Sequence, residues 1–434
     1  MKRFLALVMA CLLLFSGVAL AELTDDYAKR LFEGNENEAL YALFSEEVKA
    51  QMPFEAFAAI KDQLIAACGP LKEIGEAKTT PYGVQTVLMQ LIAFEKQTLV
   101  MQKIADAQGR IIGLGFTPYE DPKESEPQEA VALPDGVVEK EITVGEGEWA
   151  LPGLITLPEN LSGVPAVVLV HGSGPNDRDE TVGQTKFFRD LAYTLAQNGI
   201  AVIRYDKRTL VHGAKMDNAI TIEEETIEDA ILAGKRIAEM PEVDASRIFL
   251  LGHSLGGMQA PRIAKEADGL FCGMILAAST PKTLVDIMLA QNKAVIATLP
   301  EERQAPSLQM LEEELIRMEA IYALSADEMK KEILFTMPAY YLFEMQTIDP
   351  IETMLELQIP TLILQGEGDF QVTLENGIDA YKAGLSDAEY VVYKLYPGLN
   401  HCFTGSVETQ SAEDYNQPLR VDETVISDII DFIK

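Results

Sequence analysis

The sequence predicts an α/β protein in which a mostly parallel sheet carries a helical cap insertion and is preceded by a small α+β domain. Three observations lead there. From Ala166 onward, short apolar runs alternate with amphipathic helical stretches, the pattern of strands buried on both faces by crossover helices. Between Ala278 and Thr361 lie about eighty residues of helical pattern, rich in Met, Leu and Glu, too long for a plain connection. Before all this, residues 22–117 read as helices followed by strands, the order of a separate α+β domain. A chain of 434 residues has room for two or three domains at ~150 residues each.

Residues 1–21, MKRFLALVMACLLLFSGVALA, combine Lys2 and Arg3 with the apolar run Phe4–Phe15 and an Ala19-Leu20-Ala21 cleavage site. This is the pattern of a secretory signal peptide, so the mature chain is expected to begin near Glu22 and to work outside the cytoplasm. An uncleaved anchor would need ~20 apolar residues, more than this run supplies, and a lipoprotein attachment at Cys11 sits badly in a run that continues past it. No other stretch is long and apolar enough to span a bilayer, so no integral span is expected after cleavage. Cys68, Cys272 and Cys402 then remain; their odd number excludes a complete disulfide framework, and their spacings fit no zinc pattern.

In residues 24–67, Leu31, Phe32, Leu40, Leu43 and Phe44 recur at helical spacing until Gly69-Pro70 breaks the pattern. Strands are expected at Gln85–Phe94, Gln97–Ile104 and Ile111–Phe116, with a hairpin turn at Gln108-Gly109. Residues 118–135, PYEDPKESEPQEAVALPD, are proline-rich and acidic and read as an exposed linker. The second domain spans 136–434. It opens with strands Val137–Val144 and Trp149–Leu157 around a Gly145 turn. Strands Ala166–Val170, Ile200–Tyr205, Arg247–Leu251, Gly273–Ala278, Thr361–Gln365 and Tyr390–Leu395 follow. Helices are expected at Thr185–Gln197, Thr221–Met240, Leu255–Ala267, Leu374–Leu385 and Val421–Ile433, and the inserted cap covers about 280–358.

Composition narrows the function. Against 35 Lys and Arg stand 68 Asp and Glu, a formal charge of −33. Such a surface repels phosphate backbones and anionic membranes, which excludes nucleic-acid binding as the main task. With 4 His in the whole chain, a multi-histidine metal cage would use nearly every imidazole. No Walker loop, G-x-G-x-x-G or H-E-x-x-H occurs, and neither a metal nor a cofactor is implied.

The chemistry is carried by Gly252-His253-Ser254-Leu255-Gly256, a G-x-S-x-G segment directly after an expected strand and directly before an expected helix. The glycines permit a sharp strand-to-helix turn that lifts the Ser254 hydroxyl above the sheet. The Leu255 N–H, at the helix N-terminus, would face an oxyanion formed there. A serine hydroxyl needs a base, and the base an orienting carboxylate. In strand–turn–helix sites of this kind the chain order is Ser, acid, His. His401, in Pro397-Gly398-Leu399-Asn400-His401, is the one histidine after Ser254 and is the expected base. Asp369, in Gly366-Glu367-Gly368-Asp369, is the expected acid, with Glu367 as the alternative and Glu375 placed inside a helix. A second oxyanion donor should come from His171-Gly172-Ser173-Gly174, with the Ser173 N–H first and Gly172 second. His171 is expected to brace that loop.

Asn176-Asp177-Arg178-Asp179 and Asp206-Lys207-Arg208 follow neighbouring strands. They would either recognise a polar substrate or, as Arg178, Asp206 and Arg208, pair with one another to hold loops. His212 has no partner readable from sequence.

HGSGPNDRDE, RYDKR, GHSLGG, LQGEGD and GLNH fall in one order along residues 137–434, and in this the chain resembles the α/β-hydrolase superfamily. HGSGPNDRDE is similar to a group of secreted bacterial carboxylesterases and acyl hydrolases. The segment DAQGRIIGLGFTP, with the helix-then-strand order before it, resembles nuclear transport factor 2-like domains. The resemblance implies a nucleophile at Ser254, an acid at Asp369, a base at His401 and a cap over the site. The expected activity is hydrolysis of small or medium acyl esters through an acyl-enzyme, with a small-molecule ester as the partner. The rival readings are a serine peptidase of the same fold and a non-catalytic binding protein.

Overall fold

A computed structural model describes residues 26–34, 36–82, 85–105, 109–119, 133–216, 219–299, 301–335, 337–405, 414–415 and 417–434. The leader 1–21, Gln108 and the linker residues 120–132 lie outside the described residues. The chain divides into two compact units, one of residues up to Val131 with Asp327–Ala339, the other of Ala132–Ala326 with Tyr340–Lys434.

In the first unit five short helices, Tyr27–Phe32, Asn37–Ala42, Glu46–Gln51, Phe54–Ala58 and Ile60–Cys68, precede four strands. These are β1 (Leu71–Tyr82), β2 (Gln85–Phe94), β3 (Thr98–Ala105) and β4 (Ile111–Pro118), antiparallel in the order β1-β2-β3-β4. Every second residue of β3 is buried. This alternation packs Leu99 and Met101, with Leu88 and Ile92 of β2, against Tyr27, Leu31, Leu40 and Phe57. Strand β1 is absent from the sequence reading. Its Lys72, Glu73, Gly75, Glu76 and Lys78 break any apolar alternation, as suits an edge strand, and pairing with β2 holds it extended.

The second unit is built on eight strands: β5 (Val137–Val144), β6 (Leu151–Pro158), β7 (Val164–Val170), β8 (Ala201–Tyr205), β9 (Val243–His253), β10 (Gly273–Ala277), β11 (Thr361–Gly366) and β12 (Val391–Tyr396). They lie in the order β12-β11-β10-β9-β7-β8-β6-β5. Only β6 runs against its neighbours; every other pair is parallel. All residues of β7 are buried, because crossover helices cover both faces. Phe187–Gln197 and Glu423–Ile433 pack together over Val167, Leu169, Leu251 and Ile275. Glu228–Ala238 and Leu255–Glu266 form another packed group with Pro350–Leu357. The last helix explains itself from sequence: Val425, Ile426, Ile429 and Ile433 make one apolar stripe, and Asp422 caps it by accepting the Thr424 N–H at 2.8 Å.

The stretch after β10 holds helices Leu284–Thr298, Glu301–Tyr322, Ala326–Met329, Ala339–Met345 and Pro350–Leu357. The first starts at a capping box made by Thr283 and Asp286. Among the described residues no helix is long and apolar enough to cross a membrane. Cys68, Cys272 and Cys402 are free thiols.

The charged loops after β7 and β8 are latched together. Arg178 grips Asp206 through Nε and Nη2 at 2.9 and 2.7 Å, as one of the two sequence readings had it. Arg208 departs from that reading: its partner is Asp229, at 2.5 and 3.0 Å, on the neighbouring helix. Asp206 accepts three bonds from the Arg178 fork and backbone N–H, and Arg208 turns instead to Asp229 and, at 3.2 Å, Glu228. Arg204, 1 % exposed on β8, is held between Asp179 and Glu139. His212 faces the Ala150 carbonyl at 3.1 Å, edge-on to Trp149.

Candidate active site

Parallel topology brings the carboxyl ends of β7, β9, β11 and β12 to one side of the sheet, and each is followed by a residue singled out in the sequence. Ser254 directly follows β9 with φ +52° and ψ −115°, and helix Leu255–Glu266 starts at the next residue. Its N–H bonds the Ala277 carbonyl at 2.9 Å, which pins the turn to β10. A Cβ at Gly256 would run into the carbonyls of Val170 and His171. That position has to be glycine for the turn to sit against the end of β7. Positive φ at a serine stores roughly 1–3 kcal/mol, which the surrounding core has to hold.

At β11 the chain turns through Gly366, where a Cβ would meet the Leu399 and Asn400 carbonyls. The missing side chain lets the histidine loop close down. Asp369 Oδ1 accepts the N–H groups of Gln371 and Val372, both at 2.9 Å. Its other oxygen, Oδ2, is left for His401 Nδ1 at 2.7 Å. That bond places the proton on Nδ1 and leaves Nε2 free to accept another. Asn400 fixes the His401 loop, accepting from the Cys402 and Thr404 N–H groups at 3.1 Å and donating to the Thr404 hydroxyl at 2.8 Å. Glu367 and Glu375 are exposed and take no part. Asp369 is therefore the carboxylate that meets the imidazole.

Ser254 and His401 line one cavity of about 500 Å³, together with Ser173, Leu255 and Gly172. Among the described residues the Ser254 hydroxyl makes no hydrogen bond to His401; in unliganded sites such bonds are commonly long. The Gly172 N–H is already used, donating to Glu180 Oε1 at 2.6 Å, so of the two donors considered in that loop Ser173 is the one left. His171 is buried outside the cavity against Phe188 and Tyr205, its Nε2 3.1 Å from the Asp177 carbonyl. Burial pushes its imidazole down to about 4. It braces the loop, as its position before Gly172 led us to expect.

Sequence reasoning missed a buried pair behind the nucleophile. Glu180, 2 % exposed, lies 3.1 Å from His253 Nδ1, and His253 Nε2 donates to the His401 carbonyl at 3.0 Å. Burial raises the Glu180 carboxyl most strongly of any one cause; His253, His171 and the Gly172 N–H together outweigh it and hold the carboxyl below its usual range. Burial likewise works against a charged His253, and Glu180 reverses that, raising the imidazole. Both residues stood inside the motifs HGSGPNDRDE and GHSLGG, but nothing local says that they meet.

The cap's contribution to the cavity also differs from expectation. In the later part of the insertion the sequence holds a surplus of apolar residues, among them Met310, Leu311, Met318, Tyr322, Tyr341 and Phe343, some to pack on the main domain and some to line a pocket. Among the described residues the insertion lines the cavity with Leu284, Ile287 and Gln291 of its first helix instead. That helix leaves β10 directly, so chain connectivity places it beside Ser254.

The model of a family described as serine aminopeptidase, S33 matches residues 165–408. Esterase EstD of Thermotoga maritima is 33 % identical over 398 residues, 90 % of this chain and 90 % of that protein. Among solved structures, Est1E from Butyrivibrio proteoclasticus has a TM-score of 0.42 at 16 % identity, covering 68 % of this chain and 97 % of that one. A proline iminopeptidase of Mycobacterium smegmatis has a TM-score of 0.41 at 17 % identity over 68 % of this chain and 97 % of its own.

Proposed function

The chain belongs to the α/β-hydrolase superfamily, in the family described as serine aminopeptidase, S33, and from that premise we propose that it is a serine ester hydrolase acting on small or medium acyl esters. The observation that carries the reading is the Asp369–His401 bond of 2.7 Å beside Ser254 in one cavity. In the proposed mechanism His401 Nε2 takes the Ser254 proton as Oγ attacks the ester carbonyl. The Leu255 and Ser173 N–H groups hold the resulting oxyanion. The intermediate collapses, the C–O bond to the alcohol breaks, and His401 protonates the leaving alcohol. Water, deprotonated by His401, then attacks the acyl-enzyme, and the second collapse frees the acid and returns the proton to Ser254. Asp369 keeps the imidazole oriented and stabilises it when protonated. The leader-like residues 1–21 support export of the enzyme. The helix-then-sheet order of the first unit supports a nuclear transport factor 2-like domain.

A peptidase of the same fold that captures a free amino terminus needs an available carboxylate. Among the described residues lining the cavity the one carboxylate is Glu180, which is 2 % exposed and is held through Oε1 by Gly172 and His253, deep for an approaching ammonium group. Hydrolysis of nitrophenyl acyl esters should therefore exceed that of aminoacyl and prolyl amides by at least ~100-fold in kcat/KM. Faster turnover of the amides would move the assignment to the peptidase.

Leu284 and Ile287 place apolar surface where an acyl chain would lie. Ile287→Trp should lower octanoyl relative to acetyl ester kcat/KM by about tenfold or more, with acetyl turnover within about threefold of the parent. An unchanged ratio would put the acyl chain elsewhere.

A further inference from the structure

Both polar groups of Gly172 are held by buried charges. Its N–H goes to Glu180; its carbonyl accepts from Lys207 Nζ at 2.8 Å and from Asn176 Nδ2 at 3.1 Å. Lys207 is 2 % exposed, and its counter-charge is Glu225 at 2.6 Å. Neither is part of the Ser254, Asp369 and His401 arrangement. Lys207 belongs to RYDKR, a motif that the reaction has so far left without a task.

A trans peptide points the carbonyl of one residue and the N–H of the next in opposite directions. The Gly172 carbonyl and the Ser173 N–H share one such plane. Drawing the carbonyl inward onto Lys207 therefore turns the Ser173 N–H outward, on the side where Ser173 lines the cavity. Without Lys207 the carbonyl keeps only the Asn176 bond at 3.1 Å, and Gly172, having no side chain, lets the plane rock and carry the donor out of line.

We propose that Lys207, with Glu225 as its counter-ion, is a positioning residue that sets the Ser173 N–H as an oxyanion donor; this rests on the esterase reading above. Two further features fit that role. Asp206 and Lys207 are latched to the oxyanion loop, Asp206 by the Arg178 fork and Lys207 by its own N–H on the Asn176 carbonyl at 3.0 Å. Glu225 sits in a single π-turn, Glu223–Ile227, at the head of helix Glu228–Ala238. A widened turn of this kind changes which way a side chain is aimed, and such turns are frequent at functional sites. The inserted segment reaches the same chain of contacts: Tyr341, 3 % exposed, hydrogen-bonds Glu225.

The test uses Lys207→Met in the full chain, with steady-state kinetics on nitrophenyl butyrate and inhibition by butylboronic acid, whose serine adduct places an oxyanion-like oxygen in the hole. The expected result is a 30- to 100-fold fall in kcat, below the full loss of one oxyanion donor because the Ser173 N–H is misaligned and not removed. KM should stay within about threefold, and boronate affinity should fall in proportion to kcat. Lys207→Gln, which keeps a neutral donor, should recover part of both. If Lys207→Met does not fold, the paired change Lys207→Met with Glu225→Met removes both buried charges at once and is measured in the same way. A folded variant with unchanged kcat overturns the proposal. So does a fall in kcat with boronate affinity retained. Activity that survives Ser254→Ala overturns the underlying esterase reading instead.

Discussion

Ser254→Ala should lower ester turnover by ~10⁴ or more while leaving the unfolding curve where it is. The expectation follows from what the substitution removes and what it leaves. The hydroxyl is the nucleophile of the acylation step, without which no acyl-enzyme forms for water to attack. The strained backbone at φ +52°, the bond of the residue-254 N–H to Ala277 and the packing of Gly256 on β7 are all indifferent to it. The oxyanion donors also remain, so a residual acceleration over water should survive. Labelling by a fluorophosphonate should vanish with the turnover. His401→Ala should approach the same loss, because it removes the base on which both steps of the proposed mechanism depend. Near wild-type turnover in either variant would end the mechanism.

The second large effect is the contrast between Asp369→Asn and Glu367→Gln. Asp369 accepts two backbone N–H bonds on Oδ1 and the imidazole on Oδ2. An asparagine that keeps its oxygen on the two N–H groups must turn its NH₂ toward His401 Nδ1. The imidazole then accepts at Nδ1 and carries its proton on Nε2, the nitrogen that has to receive the serine proton. The side chain is the same size and the tautomer is wrong, so kcat should fall by about 10³–10⁴ with KM little changed. Glu367 is exposed and Glu367→Gln should stay within about twofold. The opposite ranking in parallel kinetic measurements would transfer the acid role to Glu367.

What could be read from the sequence was what is local. The nucleophile turn is encoded within five residues, because glycine is required wherever the turn presses on neighbouring backbone. His401 could be named because few histidines exist to choose from. Asp369 and Glu367, two residues apart, could be separated only once Gly366 and Asn400 had set the path of the histidine loop. The Lys207–Glu225 and Glu180–His253 pairs were out of reach for different reasons. Glu180 and His253 meet because the sheet order puts β7 beside β9, whereas Lys207 and Glu225 lie on one connection, after β8 and in the π-turn before Glu228–Ala238, and meet through the path that connection takes. In the cap, the density of Met and aromatic residues reports how much apolar surface must be covered. It does not report what covers it, and so Leu284 and Ile287 were passed over in favour of richer helices further on. Strand β1 was lost among its own charges, since an edge strand takes its conformation from its partner.

Arg204, Lys207 and Arg208 are each taken up by carboxylates inside the fold. Such pairs cancel within the interior, and the imbalance of 68 acidic against 35 basic residues is left to the solvent-facing surface. An uncharged ester approaching that surface feels little of it. The free acid formed by hydrolysis is an anion from the moment it ionises, and the same surface repels it over the ~8–10 Å that ordinary salt allows. Entry and exit therefore obey different electrostatics. The field that gives the substrate no help in arriving weakens the hold on the anionic product and speeds its release, most in dilute salt.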